Sequence, residues 1–178
     1  MHINLPVTGE DAKRLELGDE VYLSGVLVTA RDRAHKRALE LDKDEIPVDF
    51  NVIYHCGPLV RKGDGWEIIS AGPTTSSRME SYIPDLLKKF KTKIIIGKGG
   101  IKGEEAIEAL QKEGSVYLSF TGGCGVLAAG CIRKIREVHW LDLGIPEALW
   151  LLEVENFGPL TVSIDSRGNS LYRFRKLL

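Results

Sequence analysis

The run Val21-Tyr22-Leu23-Ser24-Gly25-Val26-Leu27-Val28-Thr29 is almost continuously apolar or β-branched and predicts a long strand. Ala34, Ala38 and Leu41 follow at i, i+4 and i+7, the spacing of one helix face. Residues 51–55 and 66–70 predict strands, separated by the turn signal Gly63-Asp64-Gly65. Pro84 belongs near the start of a helical piece running to about Phe90, because in mid-helix it would break the turn. Residues 93–96 and 115–120 predict strands, with a helix over 104–112 stopped at Gly114 between them. A further helix is predicted from Val126 to about Glu137. The tail reads as strands at 148–154, 160–164 and 171–174, the last two joined by the turn Asp165-Ser166-Arg167-Gly168-Asn169. The middle thus alternates β and α while the ends are β-rich, so the expected fold is α/β, a mixed sheet with flanking helices.

At 178 residues, with no internal repeat, low-complexity tract or linker, the expectation is a single domain over 1–178. A net charge of −1, from 24 basic and 25 acidic residues, gives no bulk pull toward nucleic acid or a membrane. No apolar run approaches the ~20 residues of a membrane span. The N-terminus lacks a basic region followed by an apolar one, so no signal peptide is expected. Cys56, Cys124 and Cys131 are odd in number and form no CxxC pair, which points to a reducing cytoplasm and ordinary buried thiols. Cys124 and Cys131, seven apart on the predicted helix, would face one side of it. No metal site is expected from this chain alone; a metal or iron–sulfur cluster would come from another polypeptide.

The most informative stretch is Gly72-Pro73-Thr74-Thr75-Ser76-Ser77-Arg78-Met79-Glu80. It follows a strand and ends in Ser77-x-x-Glu80, the spacing of a capping box. Hydroxyls, backbone N–H groups and a guanidinium meet there at a strand-to-helix junction, a setting that suits a carboxylate or phosphate. Two glycine loops, 97–100 and 121–125, also follow strands and precede helices, and such loops sit side by side at the carboxyl ends of strands. Together the three favour an anion site over mere tight turning. Arg31 ends the first long strand and is suited to a bidentate pair with a carboxylate. Asp32 is placed to cap the helix that follows, and His35 to carry a proton or orient Asp32. Arg31, Arg33, Lys36 and Arg37 oppose the dipole of that helix start, which a bound anion would explain better than solvent. His55, in His55-Cys56-Gly57-Pro58, reads as a half-buried imidazole with its bonds satisfied.

Two rival motifs are weaker. Gly97-Lys98-Gly99-Gly100 matches the GxxG loop of KH domains, but it follows a β-branched run where that fold has a helix. Gly123-Cys124-Gly125-Val126-Leu127-Ala128 fits GxGxxA with Asp142 downstream, but too late in the chain for a dinucleotide fold. A non-catalytic anion- or nucleotide-binding module remains the non-enzyme alternative.

Taken in order, Thr-Ala-Arg-Asp-x-Ala-His-Lys-Arg at 29–37, His-Cys-Gly-Pro at 55–58, Gly-Pro-Thr-Thr-Ser-Ser-Arg-Met-Glu at 72–80 and Ile-Gly-Lys-Gly-Gly at 96–100 form a specific set. His-Trp-x-Asp-Leu-Gly-x-Pro-Glu-Ala-Leu-Trp at 139–150 and Phe-Gly-Pro-Leu-x-Val-x-Ile-Asp at 157–165 complete it. The combination closely resembles the β subunit, or C-terminal domain, of the iron–sulfur hydro-lyases of the class I fumarase and tartrate dehydratase family. The resemblance implies a swivelling β/β/α domain in a hetero-oligomer with an α subunit that holds a [4Fe–4S] cluster, one iron of which lacks a cysteine. It implies reversible hydration of fumarate to malate, with dehydration of L-tartrate as the alternative. Carried over by position, Arg31, Thr74, Arg78 and Lys98 would contact the dicarboxylate, with Thr74 and Arg78 catalytic and Thr74 the position proposed as base. Asp32 and His35 would stand behind them, and no residue of this chain would bind metal.

Overall fold

The computed structural model describes residues 1–173. Among these residues nine strands follow one another as β1 (His2–Asn4), β2 (Glu20–Thr29), β3 (Val52–Tyr54), β4 (Leu59–Lys62), β5 (Trp66–Ser70), β6 (Ile94–Gly97), β7 (Val116–Ser119), β8 (Ile132–His139) and β9 (Leu149–Ile164). The helices are α1 (Gly9–Lys13), α2 (Asp32–Glu40), α3 (Ile83–Phe90), α4 (Glu104–Glu113) and α5 (Gly125–Gly130). The expected α/β class with a mixed sheet and flanking helices is what forms. Strands β1, β2, β3, β6 and β7 run parallel to their neighbours, while β9 is antiparallel to β2, β7 and β8. Because β9 pairs with both β7 and β2, the order β2-β3-β6-β7-β9 closes on itself into a five-stranded ring.

Closure explains the apolar runs. Alternate residues of each strand point to opposite faces, and here both faces are covered. Inside the ring pack Leu23, Leu27, Val52, Tyr54, Ile94, Ile96, Val116, Leu118, Trp150, Leu152 and Phe157. The residues between them, Val28, Ile53, Ile95, Tyr117 and Ile164, face outward against the helices. Helix α2 buries Ala34, His35 and Ala38, and α3 buries Ile83, Leu86, Leu87 and Phe90. Pro84 stands in the first turn of α3, where its missing N–H costs nothing. Helix α4 buries Ala106, Ile107 and Leu110 and stops at Gly114.

Several expectations need correction. The predicted helix over 126–137 ends at Gly130, with Cys131 as its cap, and the following residues form β8. Ile132, Ile135 and Val138 recur every three residues, which reads as helix. Two register shifts in β8 each oppose two of its residues to one of β9, so Ile132, Ile135 and Val138 pair with Val154, Leu152 and Trp150. Each bulge restores the inward direction, and all three side chains pack on the core. Cys124 and Cys131 therefore do not share a helix face; both are half-buried, whereas Cys56 is buried. The predicted tail strands at 148–154 and 160–164 are one strand, β9. The turn over 165–169 forms, with the Asp165 carboxylate accepting from the Arg167 and Asn169 N–H groups at 2.9 and 3.0 Å. Leu171 and Tyr172 lie in a turn rather than a strand, and Phe174 lies outside the described residues. Strand β4, which pairs with β5 as a hairpin, and the β1–α1 segment were not anticipated. No helix among the described residues is long and apolar enough to cross a membrane.

Candidate active site

The parallel strands β2, β3, β6 and β7 end on the same side, and the loops leaving them meet there. Arg31 follows β2, His55-Cys56-Gly57 follows β3, Lys98 follows β6, and 121–125 follows β7. The 72–77 segment lies across these ends. Cys56 bridges Pro73, and Thr75 bridges Lys98. The Thr74 N–H donates to the His55 carbonyl at 2.6 Å, the Lys98 N–H to the Thr74 carbonyl at 3.1 Å, and the Ser76 N–H to the Lys98 carbonyl at 3.1 Å. The Ala71 N–H donates to the Gly125 carbonyl at 2.9 Å, which ties in the third loop. All three loops singled out in the sequence are thus neighbours. Both backbone polar groups of Thr74 are bonded, so its position is set by the strand ends rather than by its side chain.

Arg31 is the residue before α2, and its guanidinium packs on Gly57, where a Cβ would collide with it. Its Nε lies 3.4 Å from a Glu147 carboxylate oxygen, close enough to pair but not aligned as a hydrogen bond. The other Glu147 oxygen accepts the Arg33 N–H at 2.9 Å. The anion inferred at this basic helix start is therefore, in part, the protein's own Glu147, which the sequence reading missed. Its place in the 139–150 motif was the available signal. No hydrogen bond to protein is formed by the terminal nitrogens of Arg31 among the described residues. Asp32 does not cap α2, since no side-chain cap bond is present; it lies 3.7 Å from Arg78 Nη2, a loose ion pair.

Strands β2 and β6 are separated only by β3, so Arg31 and Lys98 leave the sheet about 10 Å apart. The aliphatic stem of Lys98 runs beside Gly122 of the β7 loop. Ser77-x-x-Glu80 does not form a capping box: Ser76–Tyr82 is a 3₁₀ turn without a side-chain cap. Glu80 reaches the far side, where it accepts from the Lys102 N–H at 3.3 Å and from the Gly103 N–H at the start of α4.

His35 and His55 behave differently from expectation. His35 is fully buried, both ring nitrogens lack a hydrogen-bond partner among the described residues, and burial pushes its pKa down to about 3. A neutral, enclosed imidazole does not suit the role of proton carrier, and it makes no hydrogen bond to Asp32. His55, fully buried rather than half-buried, stacks edge-on against it at 5.1 Å and bonds Ser76 Oγ through Nδ1 at 2.8 Å. Burial and the neighbouring His35 hold its pKa well below the usual histidine value. Gly97 lies in this cluster: a Cβ there would fall on the Ser76 hydroxyl and 3.3 Å from His55 Nδ1. Gly97→Ala is therefore expected to destabilise the fold by about 1–3 kcal/mol, the usual cost of overpacking, read as a lower urea midpoint at unchanged slope.

The rival motifs lose their context. The 97–100 loop joins β6 to α4 rather than helix to helix. Asp142 is held by Arg37 in a two-point ion pair at 2.9 and 2.6 Å, which lowers its carboxyl pKa and occupies the acid a ribose would need. A cleft of about 860 Å³ between β5 and β8 lies away from the loop ends. Two of its lining arginines, Arg133 and Arg136, are already paired with Glu155 and Glu153 at 2.7 Å, so the loops hold the stronger claim to an anion. Among the described residues no group of three or more His, Cys, Asp or Glu is placed to hold a metal ion.

Comparison with known proteins gives a consistent result. The family model described as Fumarase C-terminus matches residues 1–175. L(+)-tartrate dehydratase subunit beta of Escherichia coli strain K12 is 47% identical over 179 residues, covering 99% of this chain and 88% of that protein. "Putative L(+)-tartrate dehydratase subunit beta" of Methanocaldococcus jannaschii is 45% identical over 172 residues, covering 93% of this chain and 88% of that protein. "Putative fumarate hydratase class I" of Geobacillus stearothermophilus is 42% identical over 174 residues, 96% of this chain but 33% of that protein.

Proposed function

The chain belongs to the Fumarase C-terminus family, and on that premise we propose that it is the β subunit of an iron–sulfur hydro-lyase, one domain over 1–178, acting with an α subunit. The reaction is reversible hydration of fumarate to malate; the second reading, dehydration of L-tartrate, is favoured by the names of the 47% and 45% identical relatives. Malate and L-tartrate are both four-carbon 2-hydroxy diacids that lose water across the bond beside a carboxylate. The observation that supports the reading, in a chain of this family, is that the backbone of Thr74 is tied to Lys98 and to His55 at the ends of β6 and β3, beside the end of β2 that Arg31 leaves, with Arg78 3.7 Å from the neighbouring Asp32.

A [4Fe–4S] cluster on the α subunit would supply Lewis-acid activation of the substrate's hydroxyl and one carboxylate. In this chain Cys56 is buried, and among the described residues no group of three or more His, Cys, Asp or Glu is placed to ligate a cluster. The division of labour follows from that chemistry. Arg31 and Arg78 grip the two carboxylates, for which a planar fork is suited. Lys98 adds a point charge beside them. Thr74 takes the proton from the carbon next to a carboxylate, and returns it in the reverse direction. A threonine hydroxyl becomes a base only where positive charge stabilises its alkoxide, which Arg78 and Lys98 provide. The same cations stabilise the negative charge that develops on the carboxylate as the proton leaves.

A partner is also supported by the rim of the site. Val126 and Leu127, 76% and 57% exposed, follow directly on the 121–125 loop. Covering such residues contributes about 1.5–3 kcal/mol each. Co-purification with an α subunit and anaerobic cluster reconstitution, followed by assays on malate, fumarate and L-tartrate, tests the proposal. The chain alone should be colourless and inactive and the complex active. Turnover by the chain alone without iron rejects the reading, and saturable binding of NAD or RNA by the isolated chain favours the anion- or nucleotide-binding alternative.

A further inference from the structure

Behind the loops, three buried side chains from separate elements form a line of hydrogen bonds. His55 Nδ1 lies 2.8 Å from Ser76 Oγ, Ser76 Oγ lies 3.1 Å from the Tyr117 hydroxyl, and that hydroxyl lies 2.9 Å from the Gly99 carbonyl. The chemistry of the far end orders the protons. A carbonyl has none to give, so Tyr117 donates to Gly99, and burial raises the phenol's pKa so that the proton stays in place. With its one hydrogen committed, the Tyr117 oxygen can only accept from Ser76. Ser76 has then used its own hydrogen and must accept from His55, whose Nδ1 therefore carries a proton. His55 is neutral, which leaves Nε2 bare, and that atom is buried without a partner among the described residues.

We infer that His55, Ser76 and Tyr117 are positioning residues: a one-directional chain of hydrogen bonds clamps the loops bearing Thr74 and Lys98 into a single register. The inference rests on the hydro-lyase reading, because it assigns those two loops to one substrate. Three observations support the clamp. The chain begins after β3, passes through the 72–77 segment and ends on the 97–100 loop, so it crosses every joint between them. The backbone bonds it braces are those that fix Thr74 and Lys98 to each other and to His55. Glycine at 97 leaves the space in which the Ser76 hydroxyl sits. A chain of aligned donors also strengthens each member, which a loop junction without regular pairing needs most.

Two measurements test it. Nitrogen-15 histidine NMR of the full chain at neutral pH should show His55 as the Nδ1–H tautomer, the reverse of the form that dominates in free neutral histidine; an Nε2–H signal overturns the proton order. In the complex with its α subunit, Ser76→Ala should lower kcat by about thirtyfold, the scale of a small misplacement of reacting groups, with KM changed by less than about threefold. His55→Asn, which keeps a donor near the Nδ1 position, should recover most of the rate lost by His55→Leu. Amide exchange of Thr74 and Lys98 should quicken in Ser76→Ala while Leu27 and Ile95 keep their protection. Exchange that rises across the whole sheet would make Ser76 a stability residue only, and unchanged kcat in an active complex overturns the positioning role alone. A wild-type complex inert toward malate, fumarate and tartrate overturns the functional reading first, before any variant is compared, and the positioning role with it.

Discussion

Arg78→Ala is expected to lower kcat/KM of the α-bound protein by about 10²–10³-fold, the cost of removing one preorganised charged donor from a developing anion. The melting temperature should hardly move. Arg78 is half exposed, its pairing with Asp32 is loose at 3.7 Å, and exposed pairs of this kind contribute at most about 1 kcal/mol. A large kinetic loss without a stability loss therefore separates a substrate contact from a structural one. Arg78→Lys should restore only part of the rate, because an ammonium replaces the charge but not the two-point geometry. Unaltered kinetics in Arg78→Ala would show that the 72–80 segment has no part in holding the diacid.

Mild acid should weaken the fold through its two buried imidazoles. In the unfolded chain each histidine takes up a proton near pH ~6.5. In the fold, burial pushes His35 down to about 3 and holds His55 well below its usual value. Depressed folded-state values mean that the unfolded state binds more protons through this window, so stability is complete above about pH 6.5 and falls as the pH drops toward the folded values. For His35 alone the loss by pH 5 is about 2 kcal/mol, and His55 acts in the same direction. The lowered carboxyls of Asp11 and Asp142 titrate below this range and do not obscure it. Urea denaturation of the full chain at pH 7.5 and 5.0 measures the effect, and His35→Leu should flatten it by roughly half. Superimposable curves at the two pH values would mean that the imidazoles charge inside the fold.

Much of this architecture was legible because local and global preferences agree. Leu27–Thr29 and Ile94–Ile96 are buried on both faces, as strand ends covered on both sides must be, and Gly114 marks the end of α4. Arg78 and Lys98 lie in hydroxyl- and glycine-rich loops that follow strands, Arg31 ends the first long strand, and the resemblance of the motifs joined them with Thr74 into one set. Failures arose where tertiary structure overrode a local period. Ile132, Ile135 and Val138 have helical spacing, but two bulges turn it into one strand face. Ser77 and Glu80 have capping-box spacing, yet Glu80 serves amides at positions 102 and 103. Glu147, 116 residues from Arg31, lies within a motif, as do His55 and Ser76, but its pairing with Arg31 and the link of His55 and Ser76 to Tyr117 carry no mark in the sequence, because those relations exist only after the ring closes.

The irregularity of β8 bears on how the chain avoids sticking to copies of itself. Its free side is the outer edge of the seven-stranded sheet, a row of amides and carbonyls on which a second molecule could grow as in a fibril. Two extra residues twist that row out of line, and Arg133, Lys134, Arg136 and Glu137 line it with charge. Both devices penalise edge-to-edge stacking, so newly made copies should stay dispersed at concentrations where a smooth, uncharged edge would template aggregation.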